Sequence, residues 1–133
     1  ESFLAELKNG AKEFDLSATP DLVPSLAVCA ATLNCETKLQ NIGHLRHKES
    51  DRIHALATEL ARVGAKVQEL KDTLIIQGGN LHGAEIETYG DHRIAMSFAA
   101  LGTKVAGMKI RDTECVNKSY PEFWEEMEKV ISA

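Results

Sequence analysis

The chain has no apolar run approaching the roughly 20 residues a helix needs to cross a bilayer, and its start lacks the pattern of a signal peptide. A membrane partner is therefore not expected. The 3 cysteines, Cys29, Cys35 and Cys115, form no CxxC pair and leave one thiol over, which fits a reducing, cytoplasmic setting better than a secreted disulfide framework. Positive charge is also scarce: 15 Lys and Arg against 20 Asp and Glu give a formal net charge of -5. That balance argues against nucleic acid as a partner, and any anion site has to be local. Phosphate-cradling GxGxxG and GxxxxGK[ST] loops are missing, Gly78-Gly79 and Gly90 being isolated turn formers, and no GxSxG-type nucleophile motif occurs. His44-x-x-His47, even with Cys35 or Asp51 added, lacks the spacing of a zinc site, so no metal is expected.

What is present is a chain of 133 residues with 44% hydrophobic content, enough for one small domain or part of one. It opens at Glu1 in what reads as the middle of a helix over residues 3–9, closed by Asn9-Gly10, and this sets the expectation of a fragment. A strand is expected over 12–16. Thr19-Pro20-Asp21 reads as an N-cap followed by proline at the first helical position, opening an apolar helix over 22–33. A second strand fits 37–42. From Ser50 the apolar positions Ile53, Leu56, Ala57, Leu60 and Val63 recur at helical spacing until Gly64 supplies a stop. Strands over 66–70 and 73–77 flank Lys71-Asp72 as a hairpin. The order of this first run is β-α-β-α-β-β.

A second cycle begins with a strand over 85–89, passes through Gly90-Asp91 into a helix ending near Gly102, and continues with a strand over 108–111. Ser119-Tyr120-Pro121-Glu122 matches a capping box opening a last helix over 123–131. The fold class is thus α+β, with one complete β-α-β-α-β-β unit over 11–78 and one over 84–133 that lacks its closing strands. If both runs copy one unit, the second hairpin has to come from a longer chain or a partner.

Chemistry collects at the helix starts. Free backbone N–H groups and the helix dipole favour an anion there, and Asp91-His92-Arg93 adds an N-cap carboxylate and an arginine whose fork suits a carboxylate or phosphate. A cation in the first turn opposes the dipole. Arg93 therefore either serves a ligand or pairs with Asp91 or a neighbouring acid. Arg52 repeats the choice at the preceding helix, with Asp51 as a structural partner. Lys48 and Lys118 are either ligand-seeking point charges or solvated loop lysines. Glu49, between Lys48 and Arg52, is either a proton relay or a surface ion pair. Asp21 either acts on a substrate or simply complements the helix dipole.

Three runs together, Lys48-Glu49-Ser50-Asp51-Arg52, Asp91-His92-Arg93-Ile94-Ala95-Met96 and Lys118-Ser119-Tyr120-Pro121-Glu122-Phe123-Trp124, resemble the C-terminal part of the 5-enolpyruvylshikimate 3-phosphate synthase family. Asp21 also falls at the family's proline-aspartate, and the likeness covers residues 11–133 in order and spacing. The resemblance implies a transferase that moves the enolpyruvyl group of phosphoenolpyruvate to the 5-hydroxyl of shikimate 3-phosphate and releases phosphate, without metal or organic cofactor. It implies the enolpyruvyl transferase fold, an inside-out α/β barrel of two domains, each of three β-α-β-α-β-β units, with substrates in the cleft between them. This chain would be part of the C-terminal domain.

By the same resemblance Asp21 contacts and deprotonates the attacking hydroxyl, and Glu49 helps protonate the phosphoenolpyruvate methylene. Arg52 and Arg93 grip the phosphoenolpyruvate carboxylate. Lys48 reaches substrate, Lys118 serves the phosphate side, and His92 supports its turn. His44 stands where many relatives carry a polar residue, often asparagine, that contacts the shikimate moiety. Glyphosate, which occupies the phosphoenolpyruvate position in this family, would use the same cations. The family's N-terminal lysine, its Asn-Ala-Gly loop and its serine-glutamine contacts have no counterpart here, so the missing N-terminal part of the enzyme is an expected partner. A sister transferase acting on an amino-sugar nucleotide shares fold and chemistry, but the Lys-Glu-Ser-Asp-Arg and Asp-His-Arg combination points to the shikimate branch.

Overall fold

In the computed structural model, residues 13–117 and 120–132 are described. The helix expected over 3–9, together with Lys118 and Ser119, lies outside them. The first run forms a four-stranded sheet from β1 (Glu13–Asp15), β2 (Glu36–Gln40), β3 (Lys66–Glu69) and β4 (Leu74–Gln77), in the order β1-β2-β4-β3. β1 and β2 are parallel, joined over helix α1 (Val23–Ala31), whereas β4 runs antiparallel to both β2 and β3. Register aligns Phe14, Leu39 and Leu74 in one row and Thr37, Ile76 and Val67 in another. Alternation along each strand turns these residues onto the covered face. Helix α2 (Arg52–Arg62) joins β2 to the β3-β4 hairpin. The second run supplies β5 (Glu85–Ile86), α3 (His92–Leu101), β6 (Lys109–Ile110) and α4 (Phe123–Ser132), with β5 and β6 paired in parallel. Among the described residues β5 and β6 are the strands of this second run.

Local chemistry explains where these elements begin and end. Asp51 caps α2, its side chain accepting from the His54 N–H at 3.0 Å. At the other end Gly64, at φ +104°, lets Gly64 N–H reach Ala61 C=O and Ala65 N–H reach Leu60 C=O, the paired bonds of a Schellman stop. Ile53, Leu56, Leu60 and Val63 are buried along the face between these caps, as their spacing predicts.

The start of α1 differs from expectation. Thr19 makes no side-chain cap; instead Pro20–Leu22 form a 3₁₀ turn, and α1 begins at Val23. The cause is Pro24, which has no N–H to give to the Pro20 carbonyl, so Val23 N–H serves it and the first turn tightens. Strand β5 is also shorter than 85–89, because Glu87 N–H leaves the ladder for the Glu59 carboxylate at 3.1 Å. Two further 3₁₀ segments, Gly43–His47 and Thr113–Val116, occupy stretches where no element was expected. The last helix begins at Phe123 after a turn closed by Phe123 N–H to Tyr120 C=O at 3.1 Å, so Tyr120 to Glu122 precede the helix proper.

The core lies between the sheet and the helices. Helix α1 buries Val23, Leu26, Ala27, Val28, Ala30 and Ala31, and α3 buries Ile94, Ala95, Phe98 and Leu101. Gly78 is required by a close approach: a Cβ there would sit 2.0 Å from the Leu33 carbonyl, so only glycine lets the end of β4 pass the end of α1. No helix among the described residues is long and apolar enough to cross a membrane.

Candidate functional site

The starts of α1, α2 and α3 converge on one buried ion pair. Arg52, the first residue of α2, is 1% exposed and donates Nε–H to Asp91 Oδ2 at 2.8 Å and Nη2–H to Asp91 Oδ1 at 3.2 Å. Asp91, the N-cap of α3, is 0% exposed. Its remaining acceptor positions take the Ser50 hydroxyl at 2.7 Å and the Arg93 backbone N–H at 3.0 Å. One carboxylate thus receives four hydrogen bonds and ties two helix starts together. Burial alone would push the Asp91 carboxyl up, but the hydrogen bonds from Arg52 and Ser50 and the Arg52 charge outweigh it and hold it below the ordinary value.

Around this floor stand more exposed groups. Glu49 reaches Arg52 Nη2 at 3.2 Å with one oxygen and His92 Nδ1 at 3.6 Å with the other. Asp21, in the 3₁₀ turn before α1, lies 3.6 Å from Arg52 Nη1 and, through its second oxygen, 3.6 Å from Arg93 Nη2. Side-chain exposure rises from the buried pair to 39% at Arg93, 50% at Glu49 and 59% at Asp21, so the cluster is open on the side of these three. A groove of about 170 Å³ between α1 and α3 begins at Asp21 and Arg93 and is walled by Val28, Cys29 and Met96. Burial pushes the Cys29 thiol up, which keeps it protonated and a poor nucleophile.

Five of the residues singled out from the sequence, Asp21, Glu49, Arg52, His92 and Arg93, therefore meet in one place. Lys48 sits exposed at the end of the Gly43–His47 turn, and His44 is exposed within it. Neither makes a hydrogen bond or ion pair with a described residue. The partner of Arg52 is Asp91 rather than its neighbour Asp51, whose side chain caps α2 and pairs with Arg46 at 2.9 Å. Arg46 also donates to the Leu70 and Lys71 carbonyls and to Glu69, pinning the hairpin turn to the loop that carries Glu49. Sequence reasoning missed Arg46, Ser50 and the Arg52–Asp91 bond, since pairs 23 to 41 residues apart leave no local spacing to read.

Chemically, two arginines face three carboxylates, so the cluster's own charge is not an excess of cations. Arg52 is neutralised by Asp91 and presents only its outer edge. Arg93, weakly paired at 3.6 Å, is the guanidinium freer to turn to a ligand. No group of three or more His, Cys, Asp or Glu side chains among the described residues is arranged to hold a metal ion.

Comparison with known proteins follows the same residues. Residues 3–127 match the profile of EPSP synthase (3-phosphoshikimate 1-carboxyvinyltransferase). The 3-phosphoshikimate 1-carboxyvinyltransferase of Methanosarcina acetivorans is 50% identical over 114 residues, 86% of this chain and 26% of that protein. That of Syntrophobacter fumaroxidans is 45% identical over 122 residues, 90% of this chain and 29% of that protein. A solved structure of EPSP synthase from Acinetobacter baumannii superimposes with a TM-score of 0.75 at 37% identity, covering 80% of this chain and 26% of that one. The chain thus spans a little over a quarter of the length of the relatives it matches. Throughout the part that is shared, with the converging helix starts inside it, this chain belongs to the EPSP synthase (3-phosphoshikimate 1-carboxyvinyltransferase) family.

Proposed function

We propose that the chain supplies part of the active site of an enzyme that transfers the enolpyruvyl group of phosphoenolpyruvate to the 5-hydroxyl of shikimate 3-phosphate, releasing phosphate. In this reading residues 11–78 and 84–133 are two repeat units of the C-terminal domain. The observation that carries it is the convergence of Asp21, Glu49, Arg52 and Arg93 around the Asp91 carboxylate. Addition to the enol ether generates a cation-like carbon flanked by a carboxylate and a phosphate. Fixed cations hold the anionic groups, and nearby carboxylates tolerate the developing positive charge.

Arg93, with the outer edge of Arg52, takes the phosphoenolpyruvate carboxylate, displacing Asp21 from its 3.6 Å contacts. Asp21 is thereby freed to accept the proton of the attacking hydroxyl. Glu49, against His92, takes up a proton and relays it to the methylene carbon. Because three carboxylates offset the two arginines, Lys48 and Lys118 are needed to make the site attractive to a dianion. His44 is proposed to contact the shikimate moiety, and glyphosate to compete for the phosphoenolpyruvate position.

The remaining contacts would come from the N-terminal part of the enzyme, so residues 1–133 alone are expected to show no turnover. The test is to combine the chain with the complementary N-terminal part of a relative and assay phosphate release from the two substrates. Release that requires both parts is expected. Release by the chain alone, or none from a stably assembled pair, contradicts the reading.

A further inference from the structure

A second buried carboxylate, outside the cluster just described, is tied to it through the chain. Glu59 is 0% exposed on α2, seven residues and so about 10 Å along the helix from Arg52, on the same face. It accepts the Tyr89 hydroxyl at 2.7 Å, the Glu87 backbone N–H at 3.1 Å, and Nε–H and Nη2–H of Arg62 at 2.9 and 3.3 Å. Glu87 and Tyr89 belong to the short segment that delivers Asp91 to the start of α3. Helix α2 therefore grips this segment twice, at Glu59 and at Arg52.

Between the two grips the backbone is under strain. Tyr89 at φ +57° and Gly90 at φ +66° form a tight turn closed by Asp91 N–H to Thr88 C=O at 2.9 Å. Two consecutive positive φ values belong to a turn type that favours glycine, asparagine or aspartate, so tyrosine at the first of them is conformationally costly. An asparagine would relieve the backbone but could not span the distance to Glu59. A strained residue held by an outside contact beside a reactive cluster points to a positional role.

We propose that Glu59 and Tyr89 are positioning residues: their hydrogen bond clamps the turn that sets Asp91, and through Asp91 the direction of the Arg52 and Arg93 guanidinium groups. The role rests on the function proposed above, but the geometry can be tested without it. Tyr89→Phe keeps the ring and removes only the hydroxyl. In the 133-residue chain, amide exchange followed by NMR is expected to speed up at least about tenfold at Arg93 N–H and Arg52 Nε–H, while amides of the β2-β4 ladder change less than about threefold. Unchanged exchange at Arg93 and Arg52, or acceleration there by no more than the ladder shows, overturns the clamp. Tyr89→Asn separates strain from position: a purely structural role predicts equal or slower exchange at Arg93, and the clamp predicts faster. In the assembled enzyme Tyr89→Phe is expected to raise the KM for phosphoenolpyruvate more than it lowers kcat. Equal changes in the two would count against a positional role, whereas a wild-type assembly without any phosphoenolpyruvate response contradicts the proposed function and leaves the exchange result standing.

Discussion

Asp91 and Glu59 are both carboxylates of 0% exposure, each accepting four hydrogen bonds, yet they are finished differently. The donors to Glu59 end there: a tyrosine hydroxyl, a backbone amide, and Arg62, whose side chain is 48% exposed. The main donor to Asp91, Arg52, is itself buried and continues outward to Glu49 and Asp21. A closed network holds a shape. An open one, whose outer members are half-exposed and held at 3.2 to 3.6 Å, can exchange them for a ligand.

The sharpest break of this contrast is truncation. Asp91→Ala leaves a buried guanidinium with only the half-exposed Glu49 and Asp21 and removes the cap of α3, so equilibrium unfolding in urea is expected to show a loss of about 3–5 kcal/mol. Glu59→Ala leaves an arginine that can turn to water, and its cost is expected to be smaller, about 1–3 kcal/mol, from the stranded Glu87 amide and Tyr89 hydroxyl. Equal losses would mean that the half-exposed Glu49 and Asp21 suffice to pair the buried Arg52.

The two regions should also separate by pH. The Asp91 carboxyl is held low in the fold, so its contribution to stability is complete above the ordinary carboxylate range and is lost as pH falls through the folded value. Asp15 and Asp51 are lowered too, so the informative quantity is the difference between wild type and Asp91→Asn, which should lose part of its acid dependence. At Tyr89, burial, then the hydrogen bond to Glu59 and its charge, push the phenol up to about 12. Its proton is bound more tightly in the fold. That contribution is complete below about pH 10 and fades as pH rises from there towards 12, and Tyr89→Phe should flatten the alkaline limb.

A control away from both carboxylates gives the smallest effect. The Thr37 hydroxyl, in the row with Ile76 and Val67, is the one buried side-chain polar atom without a partner among the described residues. Thr37→Val is expected to stabilise the chain by about 1 kcal/mol in thermal unfolding, with no change at either carboxylate.

The open network was half legible in the sequence, and the closed one hardly at all. Asp91 as a helix cap, the Gly64 stop and the buried stripe of α2 follow from rules that act within a few residues, and all are present. The arginines noted in two first turns stand beside the same Asp21 carboxylate. Their shared floor did not show, because Arg52 and Asp91 are 39 residues apart and meet only once α2 and α3 pack side by side. Glu59 left only a faint trace, an acid at the edge of an apolar face, and Tyr89 none, since a positive φ at tyrosine is imposed by tertiary contacts. Thr19 misled because two prolines in five residues override the preference for a capped start.

The most direct test of the open network is Arg93→Ala in the enzyme assembled from this chain and its complementary part. Arg93 makes no buried contact through its guanidinium, so the melting temperature should barely move, while the KM for phosphoenolpyruvate should rise by about 10- to 100-fold, the worth of one charge-assisted pair. An unchanged KM in a variant as stable as wild type would contradict the account.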